Sequence, residues 1–288
     1  MKKILFLHDP FSAIPDTLLS SLVNLASADH SLVKVLLLGK IFFYGNIPYY
    51  GDPGILITQP APIIATETTD LKIKMDQAER QQLKASKKAL ENRFTAAGIK
   101  FWYSEEMVSL DEIVKESAYA DLIIADGLLN VPGPVQSSPN VSLRELLADA
   151  HCPLLLLREG DMPPDRIILF YDGSYSSTQA IRSFSYLFPN LRHIPGFVVY
   201  VSGKEQKEPS DLHYLKDWLP LHFDDSTIEV LPGEPADVIP AFVGKVSGST
   251  LAVMGAYGRS ALSRLFRQSL ANAVLGKANV SLFVTHEH

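Results

Sequence analysis

One cysteine, Cys152, stands in 288 residues. An intrachain disulfide is therefore excluded, and so sparse a use of thiols suits a reducing, cytoplasmic setting. Cys152 precedes Pro153 at the head of an apolar run, where a small buried residue is expected rather than a nucleophile. The eight histidines (His8, His30, His151, His193, His213, His222, His286 and His288) offer no pair at ligand spacing beyond the terminal His286-Glu287-His288, so no metal centre is expected. No apolar run approaches the roughly 18 residues of a membrane span. The opening apolar run, Ile4 to Leu7, breaks at His8-Asp9, too soon for a secretory leader. Basic residues are not in excess: 26 Lys and Arg face 32 Asp and Glu, a net charge of −6. Nucleic acid and anionic membrane surfaces are thus not expected as partners.

Several catalytic signatures are missing as well. No Gly-x-Gly-x-x-Gly follows the first strand of either copy, which disfavours a dinucleotide fold, and no Gly-x4-Gly-Lys-Ser/Thr occurs, which excludes the P-loop class. No Gly-x-Ser-x-Gly elbow and no paired acid/base carboxylates are evident. No catalytic residue is assigned on these grounds.

What is present is an internal repeat. Lys3-Ile4-Leu5-Phe6-Leu7-His8-Asp9 and Arg166-Ile167-Ile168-Leu169-Phe170-Tyr171-Asp172 are matching apolar runs ending in Asp. Continuous apolar runs of this length suit strands buried on both faces. Each is followed by a helical pattern, with Leu18, Leu22, Leu25 and Ala26 on one face in the first copy. Ile181, Phe184, Leu187 and Phe188 share one in the second. Further strands are expected at Val33–Leu38, Ile99–Tyr103, Asp121–Ala125 and Cys152–Leu157. Their counterparts are Phe197–Val201, Thr227–Leu231, Thr250–Met254 and Val280–Thr285. Alternating strands and helices predict right-handed crossovers and a mainly parallel sheet in each copy. The polar segment from Arg158 to Asp165 reads as a linker. The first copy adds an insert, residues 39–69, rich in Tyr, Phe, Pro and Gly without a clear period. A long helix is expected after it, from Leu71 to Ala97.

The segment most suggestive of chemistry is Leu251-Ala252-Val253-Met254-Gly255-Ala256-Tyr257-Gly258-Arg259, with Gln268-Ser269 further on. A buried strand ends on a glycine turn, a second glycine follows, and Ser269 opens a helix. Glycines let backbone N–H groups approach a ligand, and a helix start adds unpaired donors, so the parts of a phosphate cradle are present. Taken alone, two glycines are also what a tight turn needs.

With the repeat and this segment in hand, the chain resembles the universal stress protein family in its tandem two-domain form, more strongly in its second half. Gly255 and Gly258 match the family's Gly-x2-Gly-x9-Gly-Ser/Thr signature, with Gln268-Ser269 where Gly-Ser stands in the family. Asp172-Gly173-Ser174 matches its Asp-Gly-Ser turn after the first strand. The resemblance implies α/β architecture: two tandem doubly wound, five-stranded mainly parallel sheets, Rossmann-like and adenine nucleotide α-hydrolase-like. The domains would be 1–158, a degenerate copy, and 166–288. The family pairing of last strands implies an intrachain pseudo-dimer joining Leu154–Leu157 to Leu282–Thr285; a further homodimer is left open.

The resemblance also implies a site for an adenine nucleotide, ATP with or without Mg, in the second copy. Asp172 would lie by the base or ribose, with Gly173 and Ser174 beside it and the backbone from Val199 to Val201 lining the pocket. Gly255, Gly258, Arg259, Gln268 and Ser269 would surround ribose and phosphates. Arg264 and Arg267 are nearby cations. The expected role is a sensor or regulator with at most slow ATP hydrolysis and an unknown protein partner. In the first copy Pro10-Phe11 replaces Gly-Ser, and Asp126 stands where Gly255 stands, which disfavours phosphate by like charge. Two alternatives remain: a scaffold or small-ligand module working through the aromatic insert, and an enzyme of the broader α-hydrolase-like group.

Overall fold

The computed structural model describes residues 1–9, 14–28, 30–38, 77–126, 146–147, 149–158, 162–203, 208–255 and 280–285. In chain order its first part holds β1 (Lys3–His8), α1 (Asp16–Ser27), β2 (Leu32–Leu38), α2 (Gln77–Ala96), β3 (Lys100–Val108), α3 (Leu110–Ser117), β4 (Leu122–Asp126) and β5 (Leu154–Leu157). The second part holds β6 (Arg166–Phe170), α4 (Tyr175–Leu187), β7 (Gly196–Val201), α5 (Leu212–Trp218), β8 (Ser226–Leu231), α6 (Pro235–Val243), β9 (Thr250–Gly255) and β10 (Val280–Thr285). The strands form one sheet in the order β3-β2-β1-β4-β5-β10-β9-β6-β7-β8. Every pairing is parallel except β5 with β10.

The apolar runs explain this layering. Along β1, Ile4 and Phe6 face one helix layer and Leu5 and Leu7 the other. The first layer carries Leu18 and Leu22 of α1, Leu90 and Phe94 of α2, Ile181 and Phe184 of α4, and Leu212 and Leu215 of α5. The opposite layer carries Ile113 of α3, Ile239 and Val243 of α6, and Leu146 and Leu147. Strands covered on both faces have no polar face to show, so they read as unbroken apolar runs.

The two five-stranded units meet at their last strands. Leu154, Leu155 and Leu156 pair antiparallel with Val284, Phe283 and Leu282. All four residues of β5 and all six of β10 are buried. On the α4 face, the Phe283 ring packs edge-on against Phe184 at 5.4 Å and Phe188 at 6.0 Å. The Lys2 ammonium donates to the Leu187 carbonyl and lies over the Phe188 ring at 5.2 Å. Asn24 Nδ2 donates to the Met162 carbonyl at 2.7 Å. The first unit is thus fastened to the second through both sheet and helix layers.

Two local outcomes differ from the sequence pattern. β3 continues to Val108 instead of stopping at Tyr103, because pairing with β2 resumes after a register shift as Leu37↔Met107 and Leu38↔Val108. Within it the buried Ser104 accepts the Leu37 N–H through its Oγ at 3.1 Å, and Glu106 is exposed. The short α5, with Leu212 and Leu215 buried, was not foreseen, since so brief a helix shows too few turns for its period to register. The insert 39–69 and the first residues of the expected Leu71–Ala97 helix lie outside the described residues.

His8, 4% exposed, places Nε2 2.6 Å from Ser86 Oγ on α2. Burial pushes its pKa down to about 4 against the opposing pull of Asp9, so the folded chain keeps the ring neutral. The unfolded chain takes up this proton first as pH falls. The contribution is therefore complete above about pH 6.5 and declines towards pH 4, by about 3 kcal/mol in all. Urea unfolding across that window should show the decline, and His8→Gln should flatten it. An unchanged slope in His8→Gln would remove His8 as its source. Cys152, 5% exposed, has its thiol pushed up to about 12, by burial first and then by Asp121. It should resist iodoacetamide at pH 8 when folded and react once unfolded in urea.

Candidate functional site

After β6 the chain turns through Tyr171-Asp172-Gly173-Ser174 into α4. Gly173 has φ +78°, a conformation side-chain-bearing residues rarely adopt. Asp172 Oδ1 accepts the Ser174 N–H at 3.0 Å, closing the turn. Ser174 then serves as N-cap, its Oγ accepting the Ser177 N–H at 3.1 Å. The Ser177 hydroxyl donates to the Ser174 carbonyl at 2.9 Å and accepts the Asp172 N–H at 3.4 Å. The Asp-Gly-Ser triplet therefore fixes the Asp172 backbone at both ends of the turn.

Beneath the turn lies Tyr171, 3% exposed. Burial first, then the charges of Asp211 and Asp172, push its phenol above the ordinary range. Both carboxylates therefore lie within electrostatic reach of the same ring. On the neighbouring strand, the Val199 carbonyl accepts the Tyr171 N–H at 3.1 Å, and Val201 ends β7 half-buried. Beyond it the Gly203 carbonyl accepts the Gly233 N–H at 2.8 Å, tying the end of β7 to the end of β8.

Gly255 ends β9, on the other side of β6. A Cβ there would fall 2.3 Å from Ser176 Oγ and 2.6 Å from the Ser176 carbonyl carbon and oxygen. The first turn of α4 rests directly on this strand end, and that contact alone requires glycine. The sheet order β10-β9-β6-β7-β8 makes the gap between β6 and β9 a switch point, where connections run to opposite sides. Ligands of open α/β sheets bind at the carboxyl ends of strands at such points.

Of the ten residues singled out in sequence, Asp172, Gly173, Ser174, Val199, Val201 and Gly255 come together here. Gly258, Arg259, Gln268 and Ser269 lie outside the described residues, as do Arg264, Arg267, Pro10 and Phe11. Four contributors were not singled out: Tyr171, Ser176, Ser177 and Asp211. The Ser174-x-x-Ser177 spacing could have marked the cap; nothing local marks Asp211. In the first unit, β1 ends at His8-Asp9 and β4 at Asp126, which pairs with Leu157. Carboxylates thus stand at both strand ends facing the equivalent gap. Among the described residues no cluster of His, Cys, Asp and Glu is arranged to hold a metal ion. Nor is any helix among them long and apolar enough to cross a membrane.

With this geometry in place, comparisons with known proteins are informative. Residues 199–286 match the model of the universal stress protein family. A universal stress protein from Archaeoglobus fulgidus DSM 4304 superposes with TM-score 0.64 at 16% identity, covering 99% of this chain and 96% of that one. A putative universal stress protein from Pseudomonas aeruginosa UCBPP-PA14 gives 0.60 at 17% identity, covering 99% and 93%. A functionally unknown protein from Pseudomonas aeruginosa PAO1 gives 0.59 at 16%, covering 99% and 92%. At these identities the structures establish the shared fold. No curated protein matches by sequence.

Gly255→Ala should lower unfolding free energy by about 2 kcal/mol or more, since backbone as well as side chain stands in the way. Ser174→Ala should lower it by about 1 kcal/mol through the lost cap. Urea denaturation measures both, and a Gly255→Ala protein as stable as the parent would remove the packing argument.

Proposed function

We propose that this chain, whose residues 199–286 belong to the universal stress protein family, binds an adenine nucleotide at the carboxyl ends of β6, β7 and β9. ATP, with or without Mg, is the form the sequence signature favours. The observation that carries the reading is that the Asp172-Gly173-Ser174 turn leads into α4, whose first turn rests through Ser176 on Gly255 across the switch point. The turn presents a carboxylate able to accept hydrogen bonds from ribose hydroxyls or an adenine amine. The signature residues Gly258 and Ser269 would supply N–H donors for phosphates, with Arg259 adding charge. Gln268, in place of glycine, would offer an amide rather than bare backbone.

The role we assign is sensing or regulation, with slow turnover at most. Bound nucleotide would order the segment from Gly255 to Ser269 and alter the surface offered to a partner in the cytoplasm. The domains are taken as 1–158 and 166–288. The first would not hold a triphosphate, because Asp126 brings negative charge to the place that Gly255 takes in the second.

Calorimetric titration with ATP and AMP, with and without Mg, tests the reading. Micromolar or tighter ATP binding is expected. Asp172→Ala and Gly258→Val should each weaken it roughly tenfold or more with the fold intact. Asp172→Asn, which keeps an acceptor for the Ser174 N–H, separates loss of the carboxylate from loss of the turn. Absence of binding, together with no nucleotide released on denaturing the purified protein, would leave a scaffold acting through the aromatic insert.

A further inference from the structure

A row of residues crosses the seam far from the nucleotide gap. Arg166 and Thr250 are register partners on β6 and β9. Thr250 in turn pairs with Val280 of β10. Continuing the antiparallel register from Leu156↔Leu282 sets Arg158 opposite Val280. Ile168, Ala252, Val280 and Leu156 all pack in the layer that contains α6, while Ile167, Leu251 and Leu157 pack in the other. Strand alternation therefore sends Arg158, Thr250 and Arg166 to the α6 face. Arg166 lies one strand spacing from Thr250, and Arg158 two spacings, roughly 10 Å, on the other side. Both lie within an arginine's reach of Thr250.

Each of the three presents a buried polar atom without a hydrogen-bond partner among the described residues: Arg158 Nη1, Arg166 Nε and Thr250 Oγ1. Thr250 is 1% exposed. Stripping water from a cationic N–H without supplying an acceptor is strongly unfavourable, and two such groups of like charge in one row compound the cost. Among the described residues, the carboxylates of Asp165 and Asp126 on adjoining segments are turned elsewhere. Asp165 Oδ2 accepts the Ser249 N–H at 2.8 Å and abuts Gly248. Asp126 follows Ala125, which packs on the α6 face, so alternation turns Asp126 to the other. The Arg158 backbone is itself pinned, its N–H donating to Ser281 Oγ at 3.1 Å.

We propose that Arg158, Thr250 and Arg166 bind a tetrahedral oxyanion group, phosphate or sulfate, at the seam. Arg158 and Arg166 stand on either side of Thr250 in the register and on the same face of the sheet, with Val280 between Arg158 and Thr250. Two guanidinium groups and a hydroxyl supply several donors to one oxyanion, and guanidinium is the side chain best suited to pair with phosphate or sulfate oxygens. The site lies at the amino ends of β6, β9 and β10, the opposite end of these strands from Asp172 and Gly255, and does not depend on the nucleotide reading. Because Arg158 belongs to the first unit and Arg166 and Thr250 to the second, an anion held here would bridge the two.

The test is thermal unfolding of the full chain in inorganic phosphate or sodium sulfate against sodium chloride at matched ionic strength, with calorimetric titration of phosphate. Phosphate should raise Tm beyond the chloride control, in the manner of a ligand that binds only the folded state. Arg158→Met and Arg166→Met should each weaken phosphate binding roughly 10- to 100-fold. Thr250→Val, which keeps the volume and removes only an unsatisfied hydroxyl, should fold as well as the parent while losing most of the response. A parallel titration with ribose 5-phosphate distinguishes a phosphate ester from the free ion as the source of the group. No stabilisation beyond ionic strength in the parent, or full retention in Thr250→Val and both arginine variants, would overturn the site.

Discussion

The antiparallel pairing of β5 with β10 is the constraint from which the rest of the structure follows. Each five-stranded unit ends on a strand whose side chains are all buried and whose outer backbone groups need partners. Left open, either would be a sticky margin; joined, they satisfy one another and bury Leu154–Leu157 against Leu282–Val284. The antiparallel sense also sets polarity. The carboxyl ends of β1, β2 and β4 lie along one border of the sheet, and those of β6, β7 and β9 along the other. Two copies of one fold therefore present their switch points on opposite borders, too far apart to share a ligand.

The copies have diverged at those switch points through a few side chains. Tyr171 and His8 hold the same place, one residue before the Asp that ends each apolar run. Both are buried polar rings, and His8 meets Ser86 of the helix layer. Where β9 ends on Gly255 and lets α4 settle onto it, β4 ends on Asp126. The scaffold is retained in both copies, each with an Asp just past its first strand, while the strand across the gap ends on a glycine in one and on a carboxylate in the other.

Much of the fold was legible because strands buried on both faces must be continuously apolar, and such runs announce themselves twice in this chain. The pairing of last strands was legible only through family resemblance, since nothing in Leu154–Leu157 names its partner. The candidate site was legible in part. Asp172, Gly173 and Ser174 are adjacent in sequence, and the turn they make is local. The neighbour that demands glycine at 255 was hidden, because Ser176 reaches it only after a β-α crossover has been laid down. The row from Arg158 to Arg166 was hidden for a related reason. Those residues flank a segment that reads as a linker, and only the register across four strands places Thr250 between them.

The joined edge also decides how this chain can meet others. A one-domain relative with its last strand open could pair with a second chain along that strand, whereas here the position is taken from within. Of the described strands, β3 and β8 form the margins of the sheet, and neither invites extension. β3 carries Lys100 and Glu106 and a break in register against β2, and β8 shows Thr227 and Glu229 to solvent. Irregular, charged margins discourage growth of a sheet from molecule to molecule. Self-association through strand addition is thereby spent once, covalently tethered, leaving any encounter with another macromolecule to loops and helix faces.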